Sequence, residues 1–587
     1  MDEQATSVSE RPSCAAKLAS PDMDDSTNSR LQQNPCVVCW GLGFLGALLV
    51  WLAFPPIGCS WLAWVAPVPW LMLVRMPTLG MRRPYRMLWV VGLFHWLLVV
   101  HWVRLPHWTT YFGWWALATY LAVYLPLFMV LTRLAVHRGR ISVLVAAPVI
   151  WTGLEFLRSH LLTGFSMALL AHTQADHPLI IQVAELTGAY GVSFLLMFTA
   201  AGIARVIPVG AQKFTMWPLI PVVASITGVC LYGAFRLPGK NTDSANAGKI
   251  AEVQVALIQG SVDVTFDDFD PRQAVQEYME LSCQAVLHNP EVDIIVWPES
   301  MCTFLAPLIT YDPVKAIAPD LKRWADDNTE VFRERLRILI EEHRRARGNV
   351  TVKEEGDRPW FIVCSGTFEI ERKLKHFNTS LCIDPEGQIV ARYDKMHPVM
   401  FGEYIPLGHW FDWLYDLTPL SGGLSPGKRP VPFVYEDLVF CPSICFESTV
   451  PHLIRRQVVQ LTREGHPPDV LINLTNDGWF WGSSELDLHL ACGVFRAVEN
   501  RLPLLIAANT GFSAWINANG QIVNQGPRRA TGVILAQISN DPKTQSLSMY
   551  CRYGDWFAGS CLIACVVLML MGLSTKLPPG FGKRNRS

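Results

Sequence analysis

Three short segments hold side chains able to do acyl-group chemistry. Trp297-Pro-Glu-Ser300 places a carboxylate, Glu299, directly after the apolar run Asp293–Val296. Tyr393-Asp-Lys-Met-His397 supplies an amine, Lys395, and Phe401-Gly-Glu-Tyr-Ile-Pro406 adds Glu403. Pro442-Ser-Ile-Cys-Phe-Glu447 ends an apolar run on a thiol, Cys445, followed by Phe446 and Glu447. Singly, each has an ordinary reading: a solvated loop acid, a surface lysine, a small buried cysteine. Together they form a nucleophile with its helpers. A thiolate attacks an acyl carbon and forms a thioester. A carboxylate takes the thiol proton and later serves the incoming nucleophile. An ammonium favours the thiolate and stabilises the tetrahedral oxyanion. The backbone N–H of Phe446 is a second candidate oxyanion donor. Glu403 and Glu447 each have two readings: orienting Lys395 and tuning its charge, or forming an ordinary structural salt bridge.

The elements around these segments read as α/β. Strand-like runs are 253–259, 293–297, 361–367, 379–383, 438–443, 469–474, 504–508 and 532–537. Their weak alternation fits strands covered on both faces. Helical runs fall at 272–288, 331–345, 451–463 and 486–499, with Pro271 where a helix can begin. Asp384-Pro-Glu-Gly387 and Asn517-Ala-Asn-Gly520 are turn chemistry. Residues 303–358 are poorly patterned apart from one charged helix and read as a loop insertion. Arg496 and Glu499, three apart on a helix, are a scaffold pair.

Composition sets the rest of the frame. The 587 residues are 50% hydrophobic and only 17% charged, which excludes a disordered or collagen-like chain and points to membrane spans. Lys plus Arg is 49 against 50 Asp plus Glu, so no basic excess asks for nucleic acid. The 15 Cys are scattered, with no paired CxxC metal frame. Neither a metal nor an organic cofactor is called for. Residues 1–36, rich in Ser, Asp, Gln and Pro, read as a disordered tail without the pattern of a signal peptide. Apolar runs of spanning length follow at 37–54, 58–75, 86–103, 111–132, 141–158, 188–207 and 216–235, and an eighth at 556–573. The expected organisation is a seven-helix region over 37–239, a soluble domain over 240–555, and a last span with a basic tail over 556–587. Alternate loops carry the base: Arg75, Arg82, Arg83 and Arg86; Arg133, Arg138 and Arg140; Arg205 and Lys213; then Lys576 to Arg586. The positive-inside rule puts those loops and both termini in the cytoplasm and the soluble domain outside. The Trp410, Phe411 and Trp413 cluster within Pro406–Leu417 reads either as a lid that dips into lipid or as local packing.

A Glu, a Lys and a Cys in this order, each at a strand end, resemble the nitrilase superfamily. Asn473-Leu-Thr-Asn-Asp-Gly-Trp-Phe480, Arg496-Ala-Val-Glu-Asn500 and Ala508-Asn-Thr-Gly511 extend the resemblance over most of 250–540. With the membrane half added, the chain resembles the apolipoprotein N-acyltransferase family. The segments Glu155-Phe-Leu-Arg158 and Leu162-Thr-Gly-Phe-Ser166, with Gln174, Gln182 and Gly188–Gly191, are similar to its membrane signature. Glu155 and Arg158 are expected to pair. The resemblance implies a four-layer αββα sandwich inserted before the last of eight spans, in a bacterial inner membrane with the catalytic domain on the periplasmic side. It implies Cys445 as nucleophile, Glu299 as general base and Lys395 at the oxyanion, with Glu403, Glu447 and Phe446 in support. It implies a phospholipid donor, phosphatidylethanolamine being the expected one, and a diacylated apolipoprotein acceptor. Two departures stand out: Phe446 replaces the family's Tyr, and Ser166-Met167 replace its Pro-Trp. The rival reading of the same triad is a membrane-anchored amidase or nitrilase-type hydrolase, with water as second nucleophile.

Overall fold

The computed structural model describes residues 35–209, 214–237, 252–263, 271–304, 307–311, 318–347, 359–370, 374–408, 410–417, 420, 422–539 and 547–574. The tail reading of residues 1–34 and the basic residues 576–586 lie outside these.

Among the described residues, five helices are long and apolar enough to cross a membrane: Pro35–Ala53, Thr110–Arg138, Ala189–Val206, Leu219–Arg236 and Trp556–Ser574. Ala189–Val206 is central and mostly buried. The outer faces of Leu219–Arg236 and Trp556–Ser574 carry exposed Val223, Leu231, Phe235, Ile563 and Leu570, a surface that water would not stabilise. The other expected spans are shorter. Pro84–Val99 and Val143–Arg158 have 16 residues each. The apolar run at 58–75 is not one helix: a 3-10 turn covers Ser60–Trp64, and only Val68–Arg75 is α-helical. Pro67 and Pro69 explain the break, because proline lacks the N–H that would continue a helix but suits its first turn. Hydropathy alone cannot register that interruption.

The helix ends sort by chemistry. Arg133 donates to the carbonyls of Leu73 (2.7 Å) and Met76 (2.7 Å), and Arg75 to that of Ile207 (2.6 Å), so these basic residues gather at one end. At the other end Arg236 pairs with Glu185 (2.7 Å), and Glu185 also pairs with Arg501 of the soluble domain.

Among the described residues the soluble domain has thirteen strands: β1 (Glu252–Gln259), β2 (Ile294–Val296), β3 (Leu308–Tyr311), β4 (Trp360–Ile370), β5 (Leu374–Ile383), β6 (Ile389–Asp394), β7 (Phe433–Tyr435), β8 (Leu438–Ile444), β9 (Val470–Asn476), β10 (Leu504–Asn509), β11 (Ala514–Ile516), β12 (Ile522–Gln525) and β13 (Gly532–Ser539). One sheet runs β13-β1-β2-β4-β5-β6, with β3 added beside β4; the other runs β12-β11-β10-β9-β8-β7. The inner strands β1, β2 and β4 are parallel, as are β8, β9 and β10. The sheets meet face to face through Val253, Val255, Leu257 and Ile362 on one side and Phe440, Ile444, Ile472 and Leu474 on the other. The outer face of the first sheet carries Ala256, Ile258, Ile295 and Phe361 against helices Pro271–His288 and Pro319–Arg347. Helices Pro451–Arg463 and Glu485–Asn500 cover the second sheet. This is a four-layer αββα sandwich. Both faces of β1 are buried, which is why its alternation is weak.

The segment 303–358 is more than a loop insertion. It holds β3, paired in parallel with β4, and a 29-residue helix, Pro319–Arg347. Phe332, Leu336 and Leu339 form that helix's buried stripe, while charged residues dominate its composition.

Candidate active site

Three strand ends converge. β2 delivers Glu299, β6 delivers Lys395 and β8 delivers Cys445. Parallel β-strands covered by helices offer such ends as a rigid rim, and ligands collect outside the carboxyl ends of the strands.

Lys395 Nζ lies 3.1 Å from Glu299 Oε1 and 2.7 Å from Glu403 Oε1. Glu299 is held at both oxygens: Asn378 Nδ2 donates to Oε1 (2.6 Å) and the backbone N–H of Asn476 to Oε2 (3.1 Å). The second oxygen of Glu403 accepts from the backbone N–H of Val399 (2.7 Å). Lys395 and Glu299 are both buried. A buried ammonium between two carboxylates is costly to desolvate and persists only with such partners.

Electrostatics follows the geometry. Burial pushes the Glu299 carboxyl up; Lys395 pulls it down and Glu403 pushes it up again, for a net rise above the usual carboxylate range. Burial works against the charge on Lys395, but Glu299 and Glu403 outweigh it and hold the amine protonated. Burial, then the Glu299 charge, push the Cys445 thiol well above its usual value, against the pull of Lys395. The Cys445 sulfur is therefore held as a thiol beside a carboxylate of raised basicity.

Cys445 has φ +51°, left-handed backbone that a non-glycine residue adopts only under constraint. It opens the 3-10 turn Cys445–Thr449, so the thiol sits on a sharp strand-to-helix elbow. Glu447 braces that elbow. Its Oε2 accepts from Ile444 N (2.8 Å) and the Tyr393 hydroxyl (2.8 Å), its Oε1 from Met396 N (2.6 Å) and His397 N (2.9 Å). Glu447 thus ties the Lys395 strand to the Cys445 turn through uncharged donors and forms no salt bridge among the described residues. Glu403 is the carboxylate that pairs with Lys395. The Phe446 ring is half-buried and stacks near His397, with centroids 6.1 Å apart.

Several residues at the site were assigned no role from the sequence. Asn378, Asn473 and Asn476 lie in or at the ends of strands, and Asn473 Nδ2 donates to the Cys445 carbonyl (3.2 Å). Part of the signal was present, since Asn473, Thr475 and Asn476 are polar residues in the buried strand β9, where polar side chains need partners. Asp477, Glu485 and His489 form a further buried cluster whose donor atoms lie within 4.8 Å of one another.

Arg496 pairs with Glu499 (2.7 Å), and Glu499 also accepts from the backbone N–H of Ala189 (2.8 Å), joining the soluble domain to a membrane helix. The expected Glu155–Arg158 pair does not form. Glu155 accepts from Leu170 N (2.9 Å), while Arg158 donates to Ala168 O (3.1 Å) and lies over the Trp96 ring (4.9 Å). The folded-back segment 167–170 supplies backbone partners to both charges and takes the place of the ion pair. Phe165 packs on Trp96 at 6.1 Å, so an aromatic contact survives without the Pro-Trp of the resemblance.

A nitrilase-type sandwich with a thiol, a carboxylate and an ammonium at its strand ends defines a class, and comparison with known proteins agrees. Residues 254–543 match the carbon-nitrogen hydrolase family. Residues 46–202 match the apolipoprotein N-acyltransferase N-terminal domain. An apolipoprotein N-acyltransferase of Rhodopirellula baltica is 30% identical over 552 residues, 87% of this chain and 93% of that protein. One of Geobacter metallireducens is 30% identical over 558 residues, covering 91% and 95%. The chain belongs to the apolipoprotein N-acyltransferase family.

Proposed function

We propose that this protein transfers an acyl chain from a phospholipid, through a thioester on Cys445, to the N-terminal amine of a diacylglyceryl-cysteine apolipoprotein. The observation that carries the reading is the convergence of Glu299, Lys395 and Cys445 at one rim, above helices whose outer faces are apolar. In the first half-reaction Cys445 Sγ attacks the ester carbonyl of the donor, for which phosphatidylethanolamine is the expected lipid, as its proton passes to Glu299. The Lys395 ammonium balances the oxyanion. The C–O bond breaks, Glu299 returns the proton to the departing oxygen, and a lysophospholipid leaves. In the second half the lipoprotein amine attacks the thioester, Glu299 takes a proton from nitrogen, and the amide forms as the C–S bond breaks and Cys445 regains its proton.

The topology proposed with this function has eight passages, the two 16-residue helices and the interrupted run 58–75 completing the count, with 240–555 on the periplasmic side of an inner membrane. The basic residues gathered at the opposite end from the soluble domain support that orientation. Exposed Leu407, Trp410, Phe411 and Trp413 lie on the segment following Glu403 and suit contact with lipid. The deciding measurement is the intact mass of the Cys445 peptide after incubation with phosphatidylethanolamine vesicles. A long-chain acyl adduct is expected; free fatty acid with no trapped adduct favours the amidase-like hydrolase.

A further inference from the structure

Behind the elbow lies a second polar chain that the acyl-transfer steps do not use. His489, on the Glu485–Asn500 helix, reaches the Ser448 hydroxyl with Nε2 (2.7 Å) and Asp477 Oδ1 with Nδ1 (3.2 Å). The Ser448 hydroxyl in turn donates to the Cys445 carbonyl (3.2 Å). Asp477 is fixed by the Thr475 hydroxyl (2.8 Å). All four polar side chains, Ser448, Thr475, Asp477 and His489, are buried. A hydroxyl has one hydrogen. If Ser448 gives it to the Cys445 carbonyl, it must accept from His489, so Nε2 carries a hydrogen. Nδ1 faces a carboxylate oxygen and carries the other. With both hydrogens so placed the ring is an imidazolium, and the groups facing it agree. Asp477 comes from the turn after β9, Glu485 Oε1 from one turn earlier on its own helix at 4.0 Å, and the Cys445 backbone from the elbow.

We propose that Asp477, His489 and Ser448 are positioning residues for the nucleophile: they fix the Cys445 carbonyl, and with it the left-handed elbow that aims the thiol at the acyl carbon. The chain runs from a rigid turn, through a cation, to the strained residue itself. Asn473 Nδ2, at 3.2 Å, is the second donor on the same carbonyl, so that oxygen is held from two sides. Strain at Cys445 persists because these contacts over-determine it. Both ring nitrogens are already engaged, so the Asp477–Glu485–His489 cluster is a brace and not a metal site. The proposal rests on the acyl-transfer reading, and its test separates the two.

Full-length protein in detergent is given phosphatidylethanolamine, and single-turnover acylation of Cys445 is followed by mass. In parallel, Cys445 is alkylated with iodoacetamide, which needs the thiolate but no oriented acyl carbon. Ser448→Ala and His489→Leu are each expected to slow acylation by about 10- to 100-fold, the scale of one buried hydrogen bond lost at a reacting group. Alkylation should stay within about twofold of the parent. The double variant should be no slower than the slower single one, because both break one chain. His489→Gln, which keeps a donor toward Ser448, and Ser448→Thr, which keeps the hydroxyl, should recover much of the rate. Acylation within twofold of the parent in His489→Leu, or losses that multiply in the double variant, would overturn the proposal. So would a stoichiometric metal in the purified protein that His489→Leu removes. Glu299→Gln and Cys445→Ser serve as the reference: if they still acylate, the acyl-transfer reading fails, whereas their inactivity beside an active His489→Leu refutes only the brace.

Discussion

Cys441 and Cys445 lie four residues apart at the end of one strand, yet they predict opposite outcomes. Cys441 is buried in the apolar core, whereas Cys445 is half-buried at the rim beside Glu299. Cys445→Ser should abolish the thioester and turnover, since an alcohol lacking a strong base is the weaker nucleophile. Cys441→Ser should retain much of the activity; equal loss in both, read by acylation in the same assay, would reveal a packing defect instead. The pH profile tests the base. Glu299 must be ionised to accept the thiol proton, and its carboxyl is raised by burial, so acylation should fail on the acid side at a higher pH than an ordinary carboxylate would give. Glu403 is one of the groups raising it. Glu403→Gln should therefore move the acid limb to lower pH while lowering the maximal rate, because Lys395 loses its 2.7 Å partner. An acid limb that stays fixed would remove Glu299 from the role of base.

At the level of elements, β2 and β8, whose ends bear Glu299 and Cys445, were legible as apolar runs, whereas β6, whose end bears Lys395, was not among the runs read as strands and was marked only by its motif. The short strands β3, β7, β11 and β12 were not read from the sequence, since pairing with a neighbour and not intrinsic preference makes them strands. The bracing residues escaped for a related reason. Asn473 meets the Cys445 carbonyl across 28 positions, and His489 meets Ser448 across 41, so only the fold brings them together. Glu447 read equally as a charged partner or a structural one because sequence does not show which N–H groups a carboxylate will face. The helix carrying His489 yields its own prediction. Burial opposes the ring's charge, but Asp477 and Glu485 outweigh it and raise His489 to about 9, above the ordinary value of about 6.5. A raised folded value means the stabilisation is complete below about pH 6.5 and is lost as pH rises through about 9. Glu485, raised by burial and then by Asp477, changes in the same sense. The melting temperature should fall from pH 6.5 to 9.5, and His489→Gln should flatten that fall; parallel curves for parent and variant would contradict the assignment.

Across the whole molecule, polar contacts lock the soluble domain onto the membrane helices. Arg501 pairs with Glu185 and bonds Gln182 (2.8 Å), Gln182 reaches Asn519 O (2.9 Å), and Phe480 packs on Trp102 with centroids 5.1 Å apart. The reactive rim is thereby fixed relative to the helices, and a thioester formed there lies near the lipid phase. This arrangement separates a transferase from a hydrolase. If the acceptor is a lipoprotein amine, the acyl-Cys445 intermediate must outlast the wait for it, although Glu299 stands beside the thioester as a base able to activate water. Only exclusion of water can protect it, and the exposed side chains of Leu407, Trp410, Phe411 and Trp413, seated in lipid together with the acyl chain, would provide that exclusion. Purified protein given phospholipid alone should therefore accumulate a long-lived acyl-enzyme. A diacylated lipoprotein peptide with a free N-terminal amine should discharge it, and the same peptide with its amine blocked should not. Replacing Trp410 and Trp413 by Ser should shorten the intermediate's lifetime by admitting water, seen as fatty acid released without peptide. Rapid fatty-acid release from the unaltered protein would identify a lipid-facing hydrolase and end the acyltransferase reading.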